Sequence, residues 1–238
     1  MAGDRFYRSW AGCGGLVDFK IKIFETDLHV CCDRPLQKEA EKAVLEYRKQ
    51  ILDYMDDNGS FRDSLRPLSE DRNAPPIVRD MIKDSATAGV GPMAGIAGAI
   101  AEYTGRDLLD RCSQIIIENG GDIFIKSDIE RKVSVYAGDS PLSGRVCLKI
   151  DPARTPLGVC TSSGTVGHSK SFGVADAATI IADSATLADC AATQAGNLVK
   201  GPEYLKKAID YARSIKGVKG ALIIQGSKLA TWGEVELV

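Results

Sequence analysis

Gln114-Ile115-Ile116-Ile117-Glu118-Asn119-Gly120-Gly121-Asp122-Ile123-Phe124-Ile125-Lys126 reads as two strands folded back on one another. The runs Gln114 to Glu118 and Asp122 to Lys126 flank Asn119-Gly120-Gly121, residue types that accept the left-handed backbone of a tight hairpin turn. Working outward, the same arrangement recurs. Phe19, Ile21 and Ile23 alternate with lysines, Glu25-Thr26-Asp27 interrupts, and Leu28 and Val30 follow, which predicts an amphipathic hairpin with one buried face. His29 then falls on the outward, solvent side of its strand. Lys132 to Tyr136 and Arg145 to Ile150 alternate similarly, and Gly220 to Gln225 and Lys228 to Val238 form a closing pair. Gly158 to Ser163 reads as an irregular Ser/Gly segment and Ala177 to Ala182 as an apolar run.

Helices separate these pairs. Leu36, Ala40, Ala43, Val44, Tyr47, Ile51, Tyr54 and Met55 recur at steps of three and four, predicting an amphipathic helix that Pro35 opens and Asn58-Gly59 ends. Residues 60–76 are polar, carry Pro67, Pro75 and Pro76, and read as a connecting loop; Ile77, Met81 and Ile82 resume a helical pattern. Further helices are expected from Ala185 to Asn197 and from Pro202 through Ala212. Hairpin pairs between groups of helices predict an α+β fold with antiparallel sheet, in one domain spanning residues 1–238.

Composition bounds the function. The 238 residues are 44% hydrophobic and 26% charged, enough for a sizeable core, and the net charge of −2 excludes a global positive field that would draw nucleic acid or anionic lipid. No stretch approaches the ~20 apolar residues of a membrane span. Trp10-Ala11-Gly12-Cys13 superficially resembles a lipoprotein cleavage box, but Met1 to Ser9 contain Asp4, Arg5 and Arg8 and no apolar run. Seven cysteines, odd in number and without a CxxC pair, argue against a disulfide framework or a zinc knuckle. They read as core thiols of a cytoplasmic protein.

Three segments can carry chemistry. In the small-residue run from Ala86 to Ala101, Gly89, Gly91, Gly95 and Gly98 would let backbone amides approach a phosphate at a helix N-terminus. It matches neither GxxxxGK[ST] nor a GxGxxG after a strand, so alone it reads as close helix packing. Gly158 to Gly173 concentrates hydroxyls, glycines and His168, presenting neutral donors and one titratable ring. A solvated loop bonding its own backbone is the plainer account, and thiol chemistry at Cys31-Cys32 or Cys160 is a further one. In Ala185 to Asn197, Asp189 and Thr193 lie four apart on one helix face, a carboxylate and a hydroxyl that suit Mg²⁺.

Glu118-Asn119-Gly120-Gly121-Asp122-Ile123, Thr161-Ser162-Ser163-Gly164 and Ala188-Asp189-Cys190-Ala191-Ala192-Thr193 stand in the order of the GGD, TSG and DALAT motifs of the flavin-transferase (ApbE-like) superfamily. Met93-Ala94-Gly95-Ile96-Ala97-Gly98 looks like that family's GGIAKG segment. The whole chain resembles a compact branch of the superfamily, found in archaea and some bacteria and marked by VGPMA, ENGGDI, CTSSGTVGHS and an ADAxAT helix. The resemblance implies a T-fold-like architecture. It also implies a flavin or nucleotide ligand, FAD above all, transfer of FMN to a protein acceptor, and Mg²⁺ near the diphosphate. On that pattern Asp189, Thr193 and a backbone carbonyl near Gly95 hold the metal, and Asp189 and His168 serve catalysis. Gly91, Met93, Ala94, Gly95, Asn119, Gly120, Gly121, Asp122, Thr161, Ser162, Ser163, Gly164 and His168 line the ligand. Assembly into a homo-oligomer through sheet edges is also expected. The chain departs from the pattern at Gly98, which stands at the lysine of GGIAKG, and lacks the transferases' HxxDPxTG stretch. A non-catalytic accessory protein that keeps the pocket, in cofactor or sulfur metabolism, is the alternative.

Overall fold

The computed structural model describes residues 13–166 and 171–237. The hairpin that opened the reading forms at the centre of an antiparallel sheet. Strands β1 (Val17–Ile23) and β2 (Thr26–Cys32) pair first, followed by β3 (Ile115–Asn119) and β4 (Asp122–Lys126). A ribbon of β5 (Arg131–Ser134) and β6 (Cys147–Ile150) leaves the sheet, which continues through β7 (Leu157–Ser162), β8 (Ala177–Ala182), β9 (Val218–Gln225) and β10 (Lys228–Gly233). The eight strands lie in the order β1-β2-β3-β4-β7-β8-β9-β10, every neighbour antiparallel.

Helices α1 (Gln37–Asp57), α2 (Gly59–Asp63), α3 (Pro76–Ala88), α4 (Ile96–Leu108), α5 (Ala185–Leu198) and α6 (Leu205–Ser214) complete the fold. Period-two alternation sorts the sheet's side chains between two cores. Val30, Ile117, Phe124, Cys160, Ile180 and Ile223 pack with the helices, while Ile125, Val159, Ile181 and Ile224 meet Val135, Leu148 and Ile150 on the ribbon side. Among the described residues, no helix is long and apolar enough to cross a membrane.

The α+β antiparallel expectation holds, with local corrections. The segment expected to be a loop from residue 60 begins inside α2, whose Phe61 is fully buried. The Ser/Gly segment at 158–162 is an interior strand, because Gly158 is where α5 presses on the sheet: a Cβ there would lie 2.3 Å from Ala185 Cα. The closing strand ends at Gly233, and Leu237 beyond it makes only an isolated bridge to Leu148. His29 is buried, not solvent-facing, and Cys13 and Cys31 form a disulfide where none was expected. The Cys13 sulfur is seated on that face of β2, bonded to Cys31 and 3.9 Å from His29 Nε2.

Candidate functional site

The long α3, a 3-10 turn over Pro92–Gly95 and α4 bring the glycine run against α5. Proline at the first position of the turn presets its backbone, and the small residues let the two helices approach closely. A Cβ on Gly98 would lie 2.3 Å from the Ala185 carbonyl oxygen and 2.9 Å from Asp189 Cβ. Any side chain there collides with backbone. The glycine at position 98, where the resemblance leads one to expect a lysine, is therefore a packing requirement of this chain.

Asp189 lies in the second turn of α5, almost wholly buried, and its Oδ2 accepts a hydrogen bond from the Gly98 N–H at 2.9 Å. The carboxylate thus caps the N-terminus of α4, where orphan amides and the helix dipole favour negative charge. Burial nevertheless dominates and lifts its pKa to about 7, against the opposing bonds from the Gly98 and Ala97 amides. Among the described residues no ammonium or guanidinium pairs with it. Thr193 stands one turn further along α5 and is half-buried.

The hairpin closes the site from the sheet side. Asn119 Nδ2 donates to the Ala97 carbonyl at 3.1 Å, fixing the same first turn of α4 that Asp189 caps. Asp122, buried, is the register partner of both Asn119 and Cys160. Gly120 and Gly121 make the turn with positive φ, Glu118 Oε1 accepts from the Gly121 N–H at 2.8 Å, and the Gly121 carbonyl accepts from Thr161 N at 3.1 Å. That last bond joins the ENGGD and TSSG segments. The Cys160 thiol is closed to solvent, donates to the Ala185 carbonyl, and is pushed well above the ordinary thiol pKa by burial and the charges of Asp122 and Asp189. It is a packed thiol, not a nucleophile.

Other predicted residues scatter along the rim. Thr161 shares a 2.9 Å hydroxyl bond with Thr179, and Ser162 Oγ lies near Gly196 of α5. Ser163 Oγ accepts from the Thr165 and Val166 amides, a side chain bonding its own loop, and Gly164 N bonds the Ala175 carbonyl. Met93 and Ala94 are half-buried in the 3-10 turn. Gly91 packs against Ser64, where a Cβ would lie 1.8 Å from the carbonyl oxygen. Its missing side chain seats the turn against Ser64. His168 lies outside the described residues, and Phe172 N beyond it is tied to Asn197 Oδ1 at 2.8 Å.

The sequence reading passed over Glu102, Thr186, Ser184 and Asp84. Glu102 Oε2 accepts from Thr186 N at 3.0 Å and Thr186 Oγ1 at 3.1 Å, capping α5 from α4 just as Asp189 caps α4 from α5. Ser184 caps α5 through Leu187 N and donates to Asp84, whose burial raises its pKa to about 6. Ser184 before the helix was a readable N-cap signal. Glu102 within an alanine-rich helix signalled only that some carboxylate would need a buried partner.

A family model described as AbpE bacteria matches residues 8–227. The chain belongs to that family. Among proteins of the UPF0280 group, one from Methanosarcina acetivorans is 39% identical over 217 residues, covering 90% of this chain and 85% of its own. Another from Methanococcus vannielii is 41% identical over 210 residues, covering 86% and 85%. The chain is thus an ApbE-like UPF0280 member. Its fold matches a mutant of the flavin transferase ApbE from Vibrio cholerae, with a TM-score of 0.60 at 13% identity over 92% of this chain and 97% of that one. It also matches the flavinyl transferase ApbE of Pseudomonas stutzeri in its apo form, with a TM-score of 0.57 at 13% identity over 92% and 94%. At such identities the likeness is one of fold.

Proposed function

We propose that this UPF0280 protein binds FAD or a related nucleotide diphosphate together with Mg²⁺ at the junction of α4, α5 and the 119–122 hairpin, for FMN-transfer-type chemistry. The observation that carries the reading is the buried Asp189 carboxylate, aimed at the glycine-rich start of α4, with no cationic side chain paired to it among the described residues. A carboxylate, the Thr193 hydroxyl and a backbone carbonyl near Gly95 are hard oxygen donors, a set that fits Mg²⁺ with phosphates and water completing its shell. Bound there, Mg²⁺ would draw off charge developing on the phosphate leaving group.

The protein's own residues do the positioning. Gly98 N–H fixes one carboxylate oxygen of Asp189, and Asn119 fixes the Ala97 carbonyl, so the start of α4 is held from two sides. The amides of that turn supply donors for an anion without any net positive charge on the protein. Ser162, Ser163 and Gly164, at the exit of β7, are proposed to line the ligand with Asp122; the proton-transfer role expected of His168 falls on a residue outside the described structure. The absence of room for a lysine at Gly98 favours a second reading, in which the pocket binds the nucleotide without transferring FMN.

Calorimetry with FAD, FMN, ADP and ATP, each with and without Mg²⁺, tests the reading. Saturable Mg²⁺-dependent binding is expected, and its absence for all four ligands overturns it. Mass spectrometry of a threonine-containing acceptor protein incubated with the protein, FAD and Mg²⁺ then separates the two readings: an FMN adduct supports transfer, and binding without adduct supports the accessory role.

A further inference from the structure

On the sheet face turned away from the helices, where His29 of β2 is the register partner of Glu118, the first described residue meets β2. His29 and Cys31 are two apart on β2 and share a face, and Asp18 on β1 is the register partner of Cys31. His29 Nε2 lies 3.2 Å from Asp18 Oδ2 and 3.9 Å from Cys13 Sγ. The two sulfurs and a His29 ring nitrogen all fall within 4.8 Å of one another, with His29 and Cys31 buried and Cys13 half-buried. The Arg131 guanidinium donates to the carbonyls of Cys13 at 3.1 Å and Gly14 at 3.4 Å, so the segment carrying Cys13 is anchored independently of its sulfur.

We propose that Cys13, Cys31, His29 and Asp18 form a site for Zn²⁺ in the reduced protein, and that the Cys13–Cys31 disulfide is its oxidised, metal-free form. The donor set is two thiolates and one imidazole already within 4.8 Å of one another, with the Asp18 carboxylate, exposed and 3.2 Å from the imidazole, to swing in as the fourth ligand; it selects a borderline-soft cation over Mg²⁺. With Zn–S bonds of about 2.3 Å, tetrahedral geometry sets the sulfurs about 3.8 Å apart, against about 2.05 Å in a disulfide. The required separation is therefore under about 2 Å, within reach of side-chain rotation at Cys13, which precedes the first strand. Nε2 of His29, now bonded to Asp18, is the nitrogen that faces both sulfurs and would take the metal.

The redox step balances with a dithiol as reductant. The dithiol gives two electrons and two protons, its sulfurs join as a disulfide, the Cys13–Cys31 bond breaks, and two thiols form. Zn²⁺ then displaces both thiol protons to solvent. In either state the segment before β1 stays stapled to β2. The staple is thus interchangeable between covalent and metal forms.

The experiment uses the full chain, reduced anaerobically with a phosphine, desalted, and titrated with Co²⁺ and then Zn²⁺. The reduced protein is expected to bind one equivalent of Co²⁺ with thiolate charge-transfer and tetrahedral ligand-field absorption, displaced by one equivalent of Zn²⁺. The disulfide form is expected to bind none. Cys13→Ser and His29→Ala are expected to weaken Zn²⁺ by about 100-fold or more. Cys112→Ser is expected to change nothing: Cys112 belongs with Cys32 and Asp33 to a separate cluster. Since His29 is buried and its variant can fail to fold, Cys13→Ser outside the strands keeps the test decisive. No metal uptake by the reduced protein, uptake that survives Cys13→Ser, or uptake lost in Cys112→Ser each overturns the proposal.

Discussion

Glu102 and Asp189 do the same mechanical work in opposite directions. Glu102 on α4 accepts from Thr186 N at the start of α5, and Asp189 on α5 accepts from Gly98 N at the start of α4. Both are buried, and burial raises the pKa of each. They differ in what balances the charge. Arg106 lies 2.5 Å from Glu102, one turn along the same helix, and the Thr186 hydroxyl adds a second donor. Asp189 has backbone amides alone among its named partners. A carboxylate neutralised by its own protein is architecture; one left to amides at a glycine-rich turn is the one the proposed function assigns to a cation.

That comparison can be broken in several ways. The largest effect is expected from Gly98→Lys, which drives a side chain into the Ala185 carbonyl and separates the two capped helices. It should cost about 3 kcal/mol, lowering the thermal midpoint by roughly 6 to 12 °C. A midpoint unchanged from wild type would mean that α4 and α5 do not pack as described. Next, Glu102→Ala strips the buried Thr186 amide and hydroxyl of their acceptor and is expected to destabilise by about 2 kcal/mol in urea unfolding. The same loss should not appear on adding Mg²⁺ to either protein if Glu102 is purely architectural.

Asp189→Asn keeps an acceptor for Gly98, so its effect should depend on pH. In the folded chain Asp189 holds its proton up to about pH 7, whereas its ordinary value is 3.8. Between those values the native state binds the additional proton, and stability from this group falls as pH rises through the window. The variant lacks that term. The stability of Asp189→Asn relative to wild type is therefore expected to climb from pH 4 to pH 7, and a flat difference would show that the carboxylate is not desolvated. The smallest effect is expected from Asn119→Ala, which removes one bond to Ala97 and should cost about 1 kcal/mol.

Much of the frame was legible from short-range pattern. The 114–126 hairpin, the stripe from Leu36 to Met55 and the helix carrying Asp189 are set by neighbours two to four residues apart, and the structure has each of them. What escaped was decided by distant chain. Gly158 reads as loop, and becomes interior strand because α5 needs its missing side chain. Gly98 reads as a lost lysine until Ala185, 87 positions away, is seen against it. His29 reads as surface by alternation, since Leu28 and Val30 point the other way. It is buried where the distant Cys13 segment is tied to the same face of β2. Of the candidate site, the motif order showed which segments would meet. The cross-capping by Glu102 needed coordinates, because no spacing rule connects residues 102 and 186.

The central claim is that the Asp189 carboxylate awaits a divalent cation carried with a nucleotide diphosphate. The most direct measurement is calorimetric titration of FAD into wild-type protein and Asp189→Asn, with and without Mg²⁺, at a pH above 7. The account predicts saturable Mg²⁺-dependent binding by wild type, weakened by about 100-fold in the folded variant. Equal binding by the two proteins, or wild-type binding indifferent to Mg²⁺, would contradict it.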